Sequence, residues 1–98
     1  MKGIVSLTAF AFHPQIAAVE IKLEPEWHIY WENPGDSGME TYLESDGQLL
    51  FPVPKKIQLD GDIVNYGYEE KVTLFVQNPS ADQIRLRWLV CKADTCVP

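Results

Sequence analysis

The sequence predicts an antiparallel β-sandwich, formed as one domain over residues 1–98. Three observations favour this all-β fold. Apolar and polar residues alternate with a period of two along several segments, turn-forming residues interrupt the chain roughly every 8–12 residues, and no segment longer than a turn or two has helical periodicity. One-sided alternation of this kind is typical of strands that bury one face between two packed sheets.

About seven or eight short strands account for the pattern. In chain order they are predicted over residues 5–12, 16–24, 27–32, 41–44, 56–59, 72–76 and 84–90. Three rows of apolar side chains are expected to face the core: Val19, Ile21 and Leu23; Val72, Leu74 and Val76; and Ile84, Leu86, Trp88 and Val90. Breakers such as Asn33-Pro34-Gly35 and Asp60-Gly61 separate the segments.

The composition and charge of the chain exclude several classes of function. A hydrophobic share of 46% is normal for a globular domain and argues against disorder. The net charge of −6 argues against nucleic-acid binding, whose affinity comes largely from neutralised phosphates. No apolar run is long enough to span a bilayer, no signal peptide follows Met1, and the chain stops two residues after Cys96. We therefore expect a fragment of a longer protein.

Two cysteines, Cys91 and Cys96, carry the most reactive side chains of the sequence. They follow the predicted strand that ends at Val90, and the short loop between them can bring their Cβ atoms within bonding range. A structural disulfide is one interpretation, although closing a loop of about six residues removes only roughly 2 kcal/mol of unfolded-chain entropy. A redox-active pair is another, since exchange needs an accessible sulfur and a thiolate of suitable pKa.

The neighbouring residues leave these interpretations open. Lys92 would favour a thiolate, whereas Asp94 would oppose it. A metal site is a third interpretation, including a transient copper(I) contact. Zinc needs three or four protein ligands, and only His13 and His28 remain as candidates, neither with ligand-like spacing to the cysteines. Spacing alone does not decide between a structural and a redox-active disulfide.

Four segments narrow the choice when they are taken in order. They are Trp27–Gly38 (WHIYWENPGDSG), Phe51–Pro54 (FPVP), Tyr66–Glu69 (YGYE), and Trp88–Cys91 (WLVC) with Cys96–Pro98 (CVP). Together they resemble the WHtYWxNPGDSG signature, the WPxP stretch, the YGYE motif and the LVCxxxCxP ending of the DsbD N-terminal domain, including its ScsB-like branch. Any one of these motifs is weak evidence, but the ordered set is specific and covers about three quarters of the chain.

The resemblance implies an immunoglobulin-like β-sandwich and a function in the periplasm, as one domain of an inner-membrane protein. The family's domain takes two electrons from the thioredoxin-like C-terminal domain of the same protein. It passes them to periplasmic thioredoxin-fold proteins such as disulfide isomerases. The electrons come ultimately from cytosolic thioredoxin through a membrane segment, and the exchange needs no cofactor. The resemblance therefore favours a protein-disulfide reductase activity.

Roles for individual residues also come from the resemblance. It implies that Cys96 forms the mixed disulfide with partners and that Cys91 resolves it; the reversed roles are the alternative. His28 and Tyr30 share one face of their predicted strand and are expected to flank the disulfide, where they could hydrogen-bond a thiol. The alternative for His28 is a histidine that is simply packed or exposed.

A cap loop that protects the cysteines is a further feature of the family. By resemblance it corresponds to Asp62–Tyr68, and Asn65 stands where some members have a phenylalanine. Tyr66 or Tyr68 is therefore the expected shield, and the alternative is that both tyrosines only pack against the edge of the sandwich. Two other functions compete with exchange: a non-catalytic interaction module with a structural disulfide, and a role in copper tolerance.

Overall fold

The computed structural model describes residues 2–59, 61–79, 84–92 and 95–98. These residues form eleven β-strands and no helix. The strands are β1 (Ile4–His13), β2 (Ile16–Leu23), β3 (His28–Gly35), β4 (Tyr42–Leu43), β5 (Gln48–Leu50), β6 (Lys55–Leu59), β7 (Ile63–Glu69), β8 (Lys71–Gln77), β9 (Leu86–Arg87), β10 (Val90–Lys92) and β11 (Thr95–Val97). The part of the chain that the structure describes contains no helix that could span a membrane.

Two antiparallel sheets make up the sandwich. The first has four strands in the order β1-β2-β8-β5, and the second has five in the order β11-β10-β3-β7-β6. A short ribbon of β4 and β9 completes the pairing. Every strand pair within the described residues is antiparallel, which confirms the predicted architecture.

The core lies between the inner faces of the two sheets. Its buried members are Ile4, Val19, Ile21, Leu23, Trp27, Ile29, Tyr68, Val72, Leu74 and Val90. The predicted apolar rows on β2 and β8 both face the core. Along each strand these buried residues alternate with more exposed neighbours. Burying one such side chain contributes about 1.5–3 kcal/mol relative to leaving it exposed, so these rows also fix the register of their strands.

The segment 84–90 does not form one strand as predicted. Leu86–Arg87 pairs with β4, whereas Val90–Lys92 joins the five-stranded sheet beside β3. Leu86 and Trp88 are only partly buried and pack against the core cluster, while Val90 belongs to it. Leu86, Trp88 and Val90 therefore do face the core as predicted, but the segment pairs first with β4 and then with β3.

The largest correction concerns Asp62–Tyr68, which was expected to form a cap loop. Ile63–Glu69 is instead strand β7, paired with β3 on one side and with β6 on the other. Only Asp62 lies outside the strand, in the preceding turn with a φ of 64°. Gly67 explains part of the difference, since a β-carbon there would overlap the carbonyl oxygen of Ile29 on β3. A glycine at this point lets the two strands pair closely.

Candidate functional site

The two cysteines face each other across the hairpin of β10 and β11, at the edge of the five-stranded sheet. Cys91 and Cys96 are register partners, with Cα atoms 4.1 Å apart, and their sulfurs form a disulfide bond. Directly opposed residues of an antiparallel pair have their side chains on the same face and close together. The strand pairing itself therefore holds the two sulfurs at bonding distance. Asp94, which was expected to oppose a thiolate, lies outside the described residues.

Exposure separates the two sulfur-bearing residues. Cys91 is buried, with 2% of its surface exposed, whereas Cys96 is exposed on the edge strand. Exchange begins when a thiolate of another molecule reaches one sulfur of the disulfide. The hairpin thus leaves Cys96 open to solvent and keeps Cys91 buried behind it.

The disulfide begins a row of paired residues that crosses the sheet. Cys91 is paired with His28 on β3, and His28 is paired with Glu69 on β7. Since register partners share a face, Cys96, Cys91, His28 and Glu69 all project from the same side of the sheet. The neighbouring residues Val90, Ile29 and Tyr68 project into the core. The row with the cysteines therefore lies on the outer face of the five-stranded sheet.

His28 and Tyr30 form a buried polar pair beside this disulfide. His28 is 3% exposed, and its Nε2 lies 3.0 Å from the Tyr30 hydroxyl, with the two rings in a T-shaped arrangement. Burial lowers the pKa of His28, and the charge of Glu69 partly offsets this effect. Burial raises the pKa of Tyr30, partly offset by a hydrogen bond with Asn65. The structure therefore places His28 beside Cys91 and Tyr30 beside His28, and a role of either residue toward a thiol stays a prediction.

The segment Asp36–Gly38, which follows β3, covers part of this outer face. The backbone N–H and the hydroxyl of Ser37 both donate to Asn65 Oδ1, at 2.9 and 3.2 Å. The backbone N–H of Val64 donates to Asp36 Oδ2 at 2.8 Å, which fastens the same segment to β7. Gly38 has a φ of +86°, and a β-carbon on it would overlap the ring of Tyr30. A glycine is required here on both grounds, and Tyr30 is buried beneath it.

The residues expected to shield the sulfurs have other positions. Asn65 is fully buried and holds Ser37. Tyr68 lies in the core, and its hydroxyl donates to the carbonyl oxygen of Pro52 at 2.8 Å. Burial, followed by the charge of Glu32, raises the pKa of Tyr68. These residues therefore do not form a cap loop, because β7 is paired with a strand on each side.

Tyr66 also packs within the sandwich. Its ring lies 6.4 Å from that of Trp31 in a T-shaped contact, and both side chains are half-buried. Trp31 itself packs against the core, as does the buried Trp27. The alternative in which both tyrosines pack the sandwich is thus the better description of Tyr66 and Tyr68.

The charged residues near the site form exposed ion pairs. Lys92, which was expected to favour a thiolate, lies 3.8 Å from a carboxylate oxygen of Glu26. Lys55 on β6 lies 2.8 Å from Glu69. Exposed pairs of this kind contribute little to stability. Within the described residues, no group of three or more His, Cys, Asp or Glu side chains could hold a metal ion. His13 is exposed and lies on the other sheet.

Comparisons with known proteins agree with this geometry. A family model described as "Thiol:disulfide interchange protein DsbD, N-terminal" matches residues 4–98. The N-terminal periplasmic domain of ScsB from Proteus mirabilis superposes with a TM-score of 0.62 at 16% identity, covering 99% of this chain and 48% of that one. The reduced DsbD N-terminal domain of Neisseria meningitidis gives a TM-score of 0.67 at 12% identity, covering 99% and 78%.

These similarities bear on the fold and on the extent of the chain. The chain spans about half the length of the ScsB structure that it matches. Comparison with curated proteins gave no significant sequence match. The structural neighbours confirm the immunoglobulin-like β-sandwich that the motifs led us to expect.

Proposed function

Because this chain belongs to the family of DsbD N-terminal domains, we propose that it is a thiol–disulfide exchange domain and that the pair Cys91–Cys96 is its redox centre. The observation that carries the proposal is the asymmetry of the hairpin. One sulfur-bearing residue is exposed at the sheet edge, and the other is buried directly behind it. A disulfide that serves only stability has no need of an exposed half, and its short loop contributes only about 2 kcal/mol.

The exposure of Cys96 supports it as the residue that forms the mixed disulfide. To reduce the domain, a partner thiolate attacks Cys96 Sγ, the bond to Cys91 breaks, and Cys91 leaves as a thiolate. A second thiol of the partner then attacks the mixed disulfide, so that the partner becomes a disulfide and the domain a dithiol. To deliver electrons, the Cys96 thiolate attacks a substrate disulfide, and Cys91 displaces the substrate from Cys96. Each cycle moves two electrons. The difference in reduction potential between the two pairs sets the direction, and each ~30 mV corresponds to about 1.4 kcal/mol.

The proposed electron donor and the proposed electron acceptors are all thioredoxin-fold proteins that exchange disulfides. We propose that a thioredoxin-like C-terminal domain of the parent protein donates the electrons and that periplasmic thioredoxin-fold proteins of the disulfide isomerase type accept them. Family membership supports this assignment, as it supports a reductase activity and a periplasmic location for the domain. The ScsB neighbour is itself described as a periplasmic domain.

Trapping of the mixed disulfide tests the proposal. The Cys91→Ser variant keeps the attacking thiol and lacks the resolving one, so it should accumulate a covalent complex with an oxidised thioredoxin-fold isomerase, visible on a non-reducing gel and lost with dithiothreitol. Cys96→Ser is the matched control and should trap little, because its remaining thiol is buried. Equal or better trapping by Cys96→Ser would reverse the two roles. Trapping by neither variant would favour the non-catalytic module with a structural disulfide.

A further inference from the structure

A buried imidazole lies next to the buried half of the redox pair. In the proposed delivery of electrons, Cys91 must attack the mixed disulfide at Cys96, and for this it must first lose its proton. Burial in apolar surroundings makes a thiol harder to ionise, and Cys91 is 2% exposed. The buried thiol therefore needs a nearby group that can accept a proton.

His28 is the titratable side chain placed next to Cys91 across the strand pair. It is the register partner of Cys91 across β3 and β10, on the same face of the sheet. Directly opposed side chains of an antiparallel pair have Cβ atoms about 4.5–5.5 Å apart. His28 is 3% exposed, so water does not surround its ring. In the tautomer whose Nε2–H donates to the Tyr30 hydroxyl, 3.0 Å away, Nδ1 carries the lone pair.

We propose that His28 is the general base for the resolving thiol Cys91 and that Tyr30 is the positioning residue that selects its tautomer. This inference rests on the proposed function. In the step, the Cys91 S–H proton passes to the imidazole, and the Cys91 thiolate attacks Cys96 Sγ. The bond from Cys96 to the substrate sulfur breaks as the intramolecular disulfide forms. The substrate leaves as a thiolate and takes the proton from the imidazolium, so the ring returns to its neutral form.

The charges around His28 are consistent with a base that is neutral near pH 7. The titratable groups that face it are Cys91 on β10, Glu69 on β7 and Tyr30 on its own strand. The carboxylate of Glu69 would favour the imidazolium, but Lys55 on β6 is ion-paired with it. Burial dominates and lowers the pKa of His28 below its ordinary value of 6.5. A neutral imidazole can accept a proton over the whole range in which exchange is measured.

The test separates attack by Cys96 from attack by Cys91. The reduced domain is mixed with dithiobis-nitrobenzoate, and release of nitrothiobenzoate is followed by stopped-flow absorbance. The first equivalent is released when Cys96 is modified, at a rate that depends on reagent concentration. The second equivalent is released when Cys91 closes the disulfide, at a rate that is independent of reagent concentration. The Cys91→Ser variant should release only the first equivalent, which tests the roles of the cysteines independently of His28.

The pH dependence of the second phase decides the question. In the parent domain the rate should change less than about twofold between pH 8 and 6.5, because His28 stays mostly neutral. In His28→Gln it should follow the thiolate fraction and fall about 25-fold over the same range for a thiol of ordinary pKa. The rate at pH 6.5 should be at least about tenfold below the parent's. The matched control His13→Gln, at the other and exposed histidine, should behave as the parent does.

Other outcomes of the same experiment would overturn the inference. A parent rate that itself falls about tenfold for each pH unit would exclude a base near Cys91, whether or not His28→Gln folds. Equal pH profiles for His28→Gln and the parent would exclude His28. Tyr30→Phe keeps the ring and removes the hydroxyl, so it should slow the second phase several-fold and keep its flat profile. An unchanged rate in Tyr30→Phe would overturn the positioning role.

Discussion

Replacing Asn65 with phenylalanine should destabilise the domain strongly. By the resemblance, some members of the family have a phenylalanine at this position, and a cap loop would accommodate it. In the structure, however, Asn65 is fully buried in β7. The change removes its hydrogen bonds with Ser37, at 2.9 Å to the backbone N–H and at 3.2 and 3.0 Å to the hydroxyl. Losing the bonds to these two groups of Ser37 costs about 2 kcal/mol, and the larger ring adds about 1–3 kcal/mol of overpacking. The expected loss of stability is therefore about 3–5 kcal/mol.

Urea unfolding at pH 7 measures this loss. Domains of this kind have unfolding free energies of about 5–15 kcal/mol, and for a urea dependence of about 1.5 kcal/mol/M the midpoint should fall by about 2–3 M. Asn65→Ala removes the same bonds without the overpacking, so it should cost about 2 kcal/mol, and Asn33→Ala, which removes an exposed asparagine, less than about 1 kcal/mol. A midpoint for Asn65→Phe within about 0.5 M of the parent's, together with slower alkylation of Cys96, would restore the cap loop and refute this reasoning.

Three further predictions concern the same sheet. Gly67→Ala should cost about 3 kcal/mol and lower the melting temperature, measured by circular dichroism, by more than about 10 °C, since its β-carbon would overlap the carbonyl oxygen of Ile29. Tyr68→Phe should lower the unfolding free energy measured in urea by about 1 kcal/mol, because the bond to the Pro52 carbonyl is lost. The pKa of His28 is lower in the folded than in the unfolded chain, so the unfolded chain binds the extra proton first as the pH falls below about 6.5. Stability should therefore decrease from pH 7.5 to 5.5, by at most about 1.4 kcal/mol per pH unit from this group, and urea titrations of His28→Gln should lack that component.

The sequence showed which face of most strands is buried, but it was less informative about which strands pair. The rows on β2 and β8 could be predicted because one side of each strand is buried and the other is not. In β7 the outer face is covered as well, by Asp36–Gly38, so that Asn65 is as buried as the core residues around it. A strand covered on both faces loses the alternation that identifies it, so the residue pattern of this segment did not oppose the cap loop that the resemblance implies.

Local motifs and strand periodicity predicted part of the candidate site, but not its contacts between residues far apart in the sequence. The order of the motifs identified Cys91 and Cys96, and strand periodicity placed His28 and Tyr30 together on one face. The bond between Ser37 and Asn65 joins residues 28 positions apart and needs the register of β3 and β7, which no local pattern contains. A polar residue between an apolar and an aromatic neighbour, as Asn65 is between Val64 and Tyr66, was the available signal for a buried hydrogen-bond partner.

Redox titration of the isolated domain tests the central claim most directly. The fraction of Cys91–Cys96 disulfide is measured by alkylation and mass spectrometry after equilibration in glutathione and dithiothreitol buffers. For an exchange pair the midpoint should lie within the range of known exchangers, about −120 to −270 mV. A midpoint below about −300 mV would identify a structural disulfide and would contradict the account.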